Sequence, residues 1–479
     1  MDKLKEYDKH SIDKEFIQMK RDVTLKESIF LLVVLLAIIG ACIIGLNLPP
    51  QVPILIAIGI VVLFAKLKGV SWDTIHKGIQ NGILPGLIPI IIFMLIGVLI
   101  SVWIAAGTIP TIMIYGFEIL SAKFFLPSVF VICALVGIMV GSSFTTISTV
   151  GIAFLGMGQM MGLDSAMIAG AIISGAFLGN NISPLSDTTN LAAAIAEVDV
   201  FDHIRSMMRT IIPAFVITLI FFVFIGHGAS VSAGDEIEKL IRTLHSSFTI
   251  SIFTLIPVFV LFFCARKKVP AIPTLLLSIA ISIFICYMYH PHTSFGQIAS
   301  FMQDGFVSKT GVENVDQLFT RGGMQSMMWS VSLILLALAL GGLLVEVKII
   351  EKLISKISSM VSKKGNLIFM TALSSIGVNI LLGEQYLSVI LPGEAFKSQF
   401  EKIHLDLKNL SGILANAGAA VNPLIPWGVS GVFITGTLGV STLEYLPFAM
   451  FCLVVPIIHI IFGFAGNRKH QQDEYKKVS

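Results

Sequence analysis

Charge is what this chain has least of. Only 13% of its 479 residues are Asp, Glu, Lys or Arg, against 55% hydrophobic. A mean hydropathy of +0.89 lies far above that of a soluble globular protein. The net charge of +3 comes with no basic patch, which excludes nucleic acid as a partner. There is no H-E-x-x-H or other paired metal-ligand motif, and no Ser/His arrangement in adjacent apolar stretches, so a membrane-embedded enzyme is disfavoured. The five cysteines, Cys42, Cys133, Cys264, Cys286 and Cys452, lack metal-like spacing and read as packing residues. No A-x-A-like site follows Leu46, so Ser28–Leu46 reads as a retained span rather than a signal peptide. No polar loop is long enough to be a domain; the largest is 227–247. Function must therefore lie inside a membrane.

Long uncharged stretches are what the chain has in abundance. Ile29–Leu46, Ile83–Ala106 and Phe448–Ala465 each approach or exceed the ~20 apolar residues that cross a hydrocarbon core. Only helices or closed barrels satisfy their backbone in lipid. These runs are continuous rather than alternating, which selects helices. The expected fold is an all-α polytopic membrane protein of about 10–12 transmembrane segments. Two apolar segments, 165–198 and 407–440, are interrupted by Asn, Ser and Pro.

These interruptions repeat. A constant offset (412 − 170 = 242) carries Gly170 onto Gly412, Asn180 onto Asn422, Pro184 onto Pro426 and Gly141 onto Gly383. Lys and Arg accumulate on the cytoplasmic side of short loops, and this tests the orientation of the two halves. The N-terminal tail is rich in Lys, the connection at Asn47–Gln51 is uncharged, and the next carries Lys66, Lys68 and Lys77. In the second half the order reverses. Its first connection carries Arg266, Lys267 and Lys268, and its second, His290–Thr293, has neither Lys nor Arg. The expectation is two inverted-topology repeats, 28–226 and 248–465. An external linker, 227–247, joins them, and cytoplasmic tails at 1–27 and 466–479 flank them. Segments 126–162 and 365–398 must then cross and return, or dip in as re-entrant hairpins. Inverted repeats with broken helices are a signature of secondary transporters. The place is the cell (plasma) membrane, with both termini cytoplasmic.

The first interruption reads Asn180-Asn181-Ile182-Ser183-Pro184-Leu185-Ser186-Asp187-Thr188-Thr189-Asn190. Pro184 removes a backbone donor and blocks the helix before it, which frees carbonyls for a hard cation. Asp187 supplies charge; Asn180, Asn181, Ser183, Thr188 and Thr189 supply neutral oxygens. Asp187, Thr188 and Asn180 are the expected sodium ligands. The same stretch also fits a plain helix start, with Asp187 as N-cap. A carboxylate at membrane depth is a functional candidate by default.

The second interruption, 422–430, has two prolines and no acid. Asn422 and Ser430 are its polar side chains, and it would complete the cage with carbonyls. Trp427 could shape a cavity or simply pack. Glu384 is a second acid candidate, and the same offset places it on Ser142 (384 − 142 = 242). Ser142, Ser143 and Thr145 could reach the breaks, or serve only close helix packing. Glu384 would carry a proton if buried, unless it marks a water-exposed hairpin tip. His459 could relay protons or be a structural hydrogen-bonding residue. Glu118, Glu346 and Arg321 read as snorkelling to the interface.

The stretches GSSFTTISTVG (Gly141–Gly151) and GNNISPLSDTTN (Gly179–Asn190) resemble the NhaC family of bacterial sodium/proton antiporters. The family also includes a sodium-lactate/malate-proton antiporter. The likeness runs from about Ser28 to Gly463. It implies sodium/proton antiport by alternating access in the plasma membrane. The alternative is coupled exchange of a small organic anion such as malate or lactate. The absence of an arginine deep in a span weakly favours a cation. No cofactor is expected beyond the transported sodium and protons.

Overall fold

The computed structural model describes residues 23–46, 48–120, 122–227, 234–361 and 363–478. Most of the expected N-terminal tail, and 228–233 of the expected linker, lie outside the described residues; so does the side chain of Glu118. Among the described residues the elements are helical, apart from a lone antiparallel bridge between Phe306 and Arg321. Seven helices are long and apolar enough to span a bilayer, or up to ten if each of three bent pairs is one span. The chain is thus an all-helical, multi-pass membrane protein. Outward-facing side chains such as Phe30, Phe224 and Phe284 are apolar, as lipid contact requires.

The chain divides into two compact units. One comprises the chain up to Leu84 and Ala339–Leu353. It holds the helices Leu25–Gly40, Gln51–Leu67 and Trp72–Ile83. A Cβ added at Gly342 would fall 2.2 Å from the carbonyl oxygen of Gly78, so these backbones meet as only small residues allow. The Lys68 ammonium closes on the Glu27 carboxylate at 2.6 Å.

The other unit, Pro85–Leu338 with Ile354 onward, contains both interruptions. We label ten of its segments: α1 (Phe125–Val140), α2 (143–160, with a π-helical turn at Ile147–Gly151), α3 (Ser165–Ile182), α4 (Asp187–Ile195) and α5 (Val200–His227). Then come α6 (Lys364–Leu382), α7 (Gln385–Lys402), α8 (Leu407–Leu424), α9 (Val429–Leu438) and α10 (Met450–Val478). Helices α1 and α3 pack at backbone distance: Cβ atoms on Gly175 and Gly179 would each fall 2.3 Å from carbonyl oxygens of Phe130 and Ala134. The pair α8 and α9 bends by 43° at its break.

Two tight reversals are built alike. Gly141 ends α1 at φ 72°, and the next residue, Ser142, caps α2 by accepting from the Thr145 amide at 3.3 Å. Gly383 ends α6 at φ 67°, and the next residue, Glu384, caps α7 by accepting from the Leu387 amide at 2.7 Å. Left-handed backbone at a helix end favours glycine, and a carboxylate or hydroxyl suits the N-cap that follows.

Candidate functional site

Helix α3 runs through Ile182, so Asn180 and Asn181 sit on its last turn rather than beyond it. Pro184 disfavours helical backbone at Ser183, which is extended (φ −83°, ψ 128°). The chain restarts at Ser186. Its hydroxyl, not Asp187, is the N-cap of α4, accepting from the Thr189 amide at 3.3 Å. This corrects the capping alternative for Asp187. Serine at this position already satisfies the orphan amide, so the aspartate is released from that duty. One Asp187 oxygen accepts from the Thr188 amide at 2.9 Å, and the other accepts the Tyr386 hydroxyl.

Behind Asp187 the break is tied together. Asn180 Nδ2 donates to Thr188 Oγ1 at 3.0 Å, and that hydroxyl also lies 3.1 Å from Ser186 Oγ. Thr189 Oγ1 donates to the Asn180 and Asn181 carbonyls at 3.0 and 3.3 Å. Ser183 Oγ donates to the Ile138 carbonyl of α1 at 2.7 Å. The carbonyls freed by Pro184 are therefore partly satisfied by a neighbouring hydroxyl, as buried helix ends require.

A cavity of about 530 Å³ opens against this face. Its polar lining includes Ser142, Ser143 and Thr145 from the α1–α2 turn, Asn180 from α3, and Asp187 and Asn190 from α4. Gln385 and Tyr386 of α7 complete it, and Lys268 lines it too. Of the residues anticipated from sequence, Ser142, Ser143, Thr145, Asn180 and Asp187 thus share one cavity. Asn181, Ser183, Thr188 and Thr189 brace it from behind and are buried.

Glu384, Asn422 and Ser430 do not line this cavity. Glu384 is 3% exposed, which removes the water-exposed alternative. Asn422 Nδ2 donates to Asn379 Oδ1 at 2.8 Å and to the Gly383 carbonyl at 3.2 Å, while its Oδ1 accepts from the Ser430 amide at 2.8 Å. Its oxygen is thus engaged by backbone. Ser430 Oγ is buried with no hydrogen-bond partner. Trp427 does not line the cavity; its indole donates to the Ile380 carbonyl at 2.7 Å and clamps α6. The guanidinium of Arg321 buries Nη1 without a partner, where snorkelling had been expected.

Sequence reasoning gave no role to Tyr386, although the repeat offset sets it opposite Phe144 (386 − 144 = 242), another cavity residue. Lys268, at φ 57°, had no signal beyond its place in a basic loop. Among the described residues no group of three or more His, Cys, Asp or Glu could hold a metal; the oxygens here are single-carboxylate, amide and hydroxyl groups.

Residues 175–467 match the Na+/H+ antiporter family. The chain is 41% identical to the Na(+)/H(+) antiporter NhaC of Alkalihalophilus pseudofirmus, over 94% of this chain and 97% of that one. It is 38% identical to the Na(+)/H(+) antiporter NhaC of Bacillus subtilis, over 93% and 99%. The malate-2H(+)/Na(+)-lactate antiporter of Bacillus subtilis is 33% identical over 93% and 95%. With the broken helix, the buried-side oxygens and these relatives in place, the chain belongs to the Na+/H+ antiporter family.

Proposed function

We propose that this protein exchanges sodium for protons across the plasma membrane, and that Asp187 is the carboxylate for which the two ions compete. The observation that carries the reading is the break between α3 and α4. It presents one carboxylate to a cavity whose wall is largely apolar and whose other polar side chains are hydroxyls, amides and Lys268. Sodium is a hard cation, and oxygen donors of this kind suit it. Asp187, Asn180 and Thr188 are the proposed sodium ligands; Asp187 and Asn180 line the cavity together with Ser142, Ser143 and Thr145, and the Thr188 hydroxyl lies behind them on Asn180. A proton on Asp187 and a sodium ion beside it exclude one another, and that exclusion is the coupling.

Alternating access follows from two inverted repeats, 28–226 and 248–465. The reading rests on the charge reversal of the short loops and on the two matched Gly–cap turns at Gly141-Ser142 and Gly383-Glu384. At the same offset Asn180 and Asn422 each bond the residue eight further on, Asn180 by donating to the Thr188 hydroxyl and Asn422 by accepting from the Ser430 amide. The turns α1–α2 and α6–α7 are then the re-entrant hairpins, and both termini are cytoplasmic. Glu384 is the second proton-carrying group, held at the equivalent tip.

A second reading is exchange coupled to a small organic acid. The cavity is far larger than a bare sodium ion needs, and Lys268 on its wall offers a charge for a carboxylate. A relative is named for malate and lactate.

The test is proton flux in proteoliposomes under imposed sodium gradients. Asp187→Asn keeps side-chain size and leaves the Ser186 cap intact, so the protein assembles while sodium-driven proton movement is lost. Normal flux in this variant would place the coupling site elsewhere. If the wild type moves protons only when malate or lactate is supplied, the second reading replaces the first.

A further inference from the structure

Behind the cavity lies a polar cluster that the exchange reading leaves unused. Asn416 sits in the π-helical turn Leu414–Gly418 of α8 and is fully buried. Such turns are frequent at functional sites. Its Nδ2 approaches His459 Nδ1 of α10 at 2.9 Å and donates to Thr210 Oγ1 of α5 at 3.2 Å. Its Oδ1 accepts from Asn181 Nδ2, in the first break, at 2.7 Å. Thr210 fixes this orientation. Its single hydroxyl proton goes to the Met207 carbonyl at 2.9 Å, so Oγ1 can only accept from Asn416. His459 Nδ1 must then accept as well, and the neutral ring carries its proton on Nε2.

One more proton, on Nδ1, sets two donors face to face. The Asn416 amide relieves this by turning Oδ1 toward the imidazolium. Asn181 Nδ2 then meets another amide nitrogen and loses its acceptor. The next residue toward the cavity is Asn180, tied to Thr188 beside Asp187.

The ionisable surroundings of His459 are sparse. Of the segments packed on α10, α3 and the 414–424 part of α8 carry no ionisable residue. Helix α6 has only Lys364, at its first position, and α8 has only Lys408, paired with Asp202 at 2.9 Å. Helix α5 brings Asp202, His203, Arg205 and Arg209, with His227 at its far end. His203 is the buried neighbour. Its Nδ1 lies 2.8 Å from Ser411 Oγ and its Nε2 has no partner. The next residue, Gly412, lies against the His459 ring, where an added Cβ would be 2.7 Å from Cε1.

We propose that His459, acting through Asn416, is a positioning residue for the exchange: neutral, it holds Asn181 in the first break, and protonated, it lets Asn181 go. This rests on the exchange reading. The experiment is uptake of radioactive sodium against internal sodium in proteoliposomes, from neutral to acid pH. No net proton movement is needed for this self-exchange. Saturating sodium overcomes proton competition at Asp187, so any acid loss in maximal rate reports another group.

The wild-type maximal rate falls about fivefold in acid, the weight of one buried hydrogen bond. His459→Gln, whose side-chain oxygen still accepts from Asn416 but does not titrate, keeps a flat maximal rate. In both, half-saturating sodium still rises in acid. An acid loss of maximal rate retained in His459→Gln, or absent from the wild type, overturns the proposal. Thr210→Val gives a second arm should His459→Gln fail to assemble. It unlocks the amide, so the acid loss moves to higher pH; an unmoved profile overturns the proposal. A wild type with no sodium flux at all would instead sink the exchange reading.

Discussion

Asp187 has two oxygens, and each is claimed by a different neighbour. The Thr188 amide holds one, and the Tyr386 hydroxyl of α7 holds the other. On the proposed reading, sodium at Asp187 competes with the tyrosine. Tyr386→Phe removes that competitor, and one hydrogen bond is worth about 1 kcal/mol, so apparent sodium affinity is expected to tighten roughly fivefold. Sodium titration of proton flux measures this; unchanged affinity would mean that the hydroxyl and sodium do not share the oxygen. Outside the spans, Asp316 has an equally defined role. It accepts from Ser308 Oγ at 2.8 Å, from Thr310 N at 2.6 Å and from Gly311 N at 3.1 Å. The backbone bond from Thr310, foremost, holds its carboxyl below the usual range. The folded value being the lower one, this stabilisation is complete above the ordinary carboxylate pKa and is lost as pH falls through the lowered value. Asp316→Asn should therefore lower thermal stability at neutral pH and narrow the difference from wild type in acid, read by unfolding in detergent. At this scale the sequence singled out Asp187 as a candidate through its cost in a membrane, but Tyr386 and Lys268 carry no such signal. They matter only because folding brings residues 268 and 386 to the cavity that 187 faces.

Broken helices announce themselves because proline and glycine act locally. Pro184 and the Gly141 and Gly383 turns could be placed from sequence, since each is a backbone requirement within a few residues. Their partners could not. Gly141 meets Leu185, where an added Cβ would be 2.6 Å from the leucine Cβ, whereas at Gly383 the nearest atom is the Trp427 carbonyl oxygen at 2.9 Å. Both glycines have positive φ, which costs another residue about 1–2 kcal/mol. Gly383→Ala is expected to lower stability by at least that much, since the Trp427 carbonyl must give slightly, and Gly141→Ala by more, because there both the Leu185 side chain and its backbone lie closer, at 2.6 and 2.8 Å. Thermal unfolding of the two variants in detergent gives the order; equal losses would mean that the Leu185 contact is slack. The cap of α4 moved by one residue for a similar reason. Ser186 and Asp187 are both good caps, and only the extended backbone up to Ser186 (ψ 130°) decides between them. Asn416 was invisible in the sequence, since a lone asparagine in an apolar helix has no pattern around it.

At the scale of the molecule the open question is which side of the membrane the cavity faces. The all-helical, membrane-spanning class was readable from hydropathy, because lipid leaves few alternatives. In the sequence, the inverted arrangement was inferred from the constant offset between the halves and from loop charge, which speak to order and orientation and not to contacts. Two segments at the cavity wall speak to its direction. Lys268 ends the basic run Arg266-Lys267-Lys268 and Val269 and Pro270 follow it, while Ile88 and Pro89 lie in the first turn of the apolar helix Leu87–Ala105 that comes after Lys77 in the chain. Basic short loops belong to the cytoplasmic side, so the cavity is expected to open inward. Cysteine at Lys268 is the direct probe, in a background with Cys42 changed to serine; the other four native thiols are buried. An impermeant thiol reagent should modify Lys268→Cys in inside-out vesicles and spare it in right-side-out ones. His292→Cys, in the exposed uncharged connection His290–Thr293, should behave in the opposite way. Sodium should also change the rate of modification at Lys268→Cys if the ion rests on Asp187 within the same cavity and binds the inward-open and outward-open states unequally. Labelling of Lys268→Cys from outside would reverse the orientation of every loop and remove the charge argument for inverted repeats. Labelling from inside would keep the topology whatever sodium does to its rate, and a rate that sodium changes in the wild-type background but not in Asp187→Asn would tie the ion to this cavity.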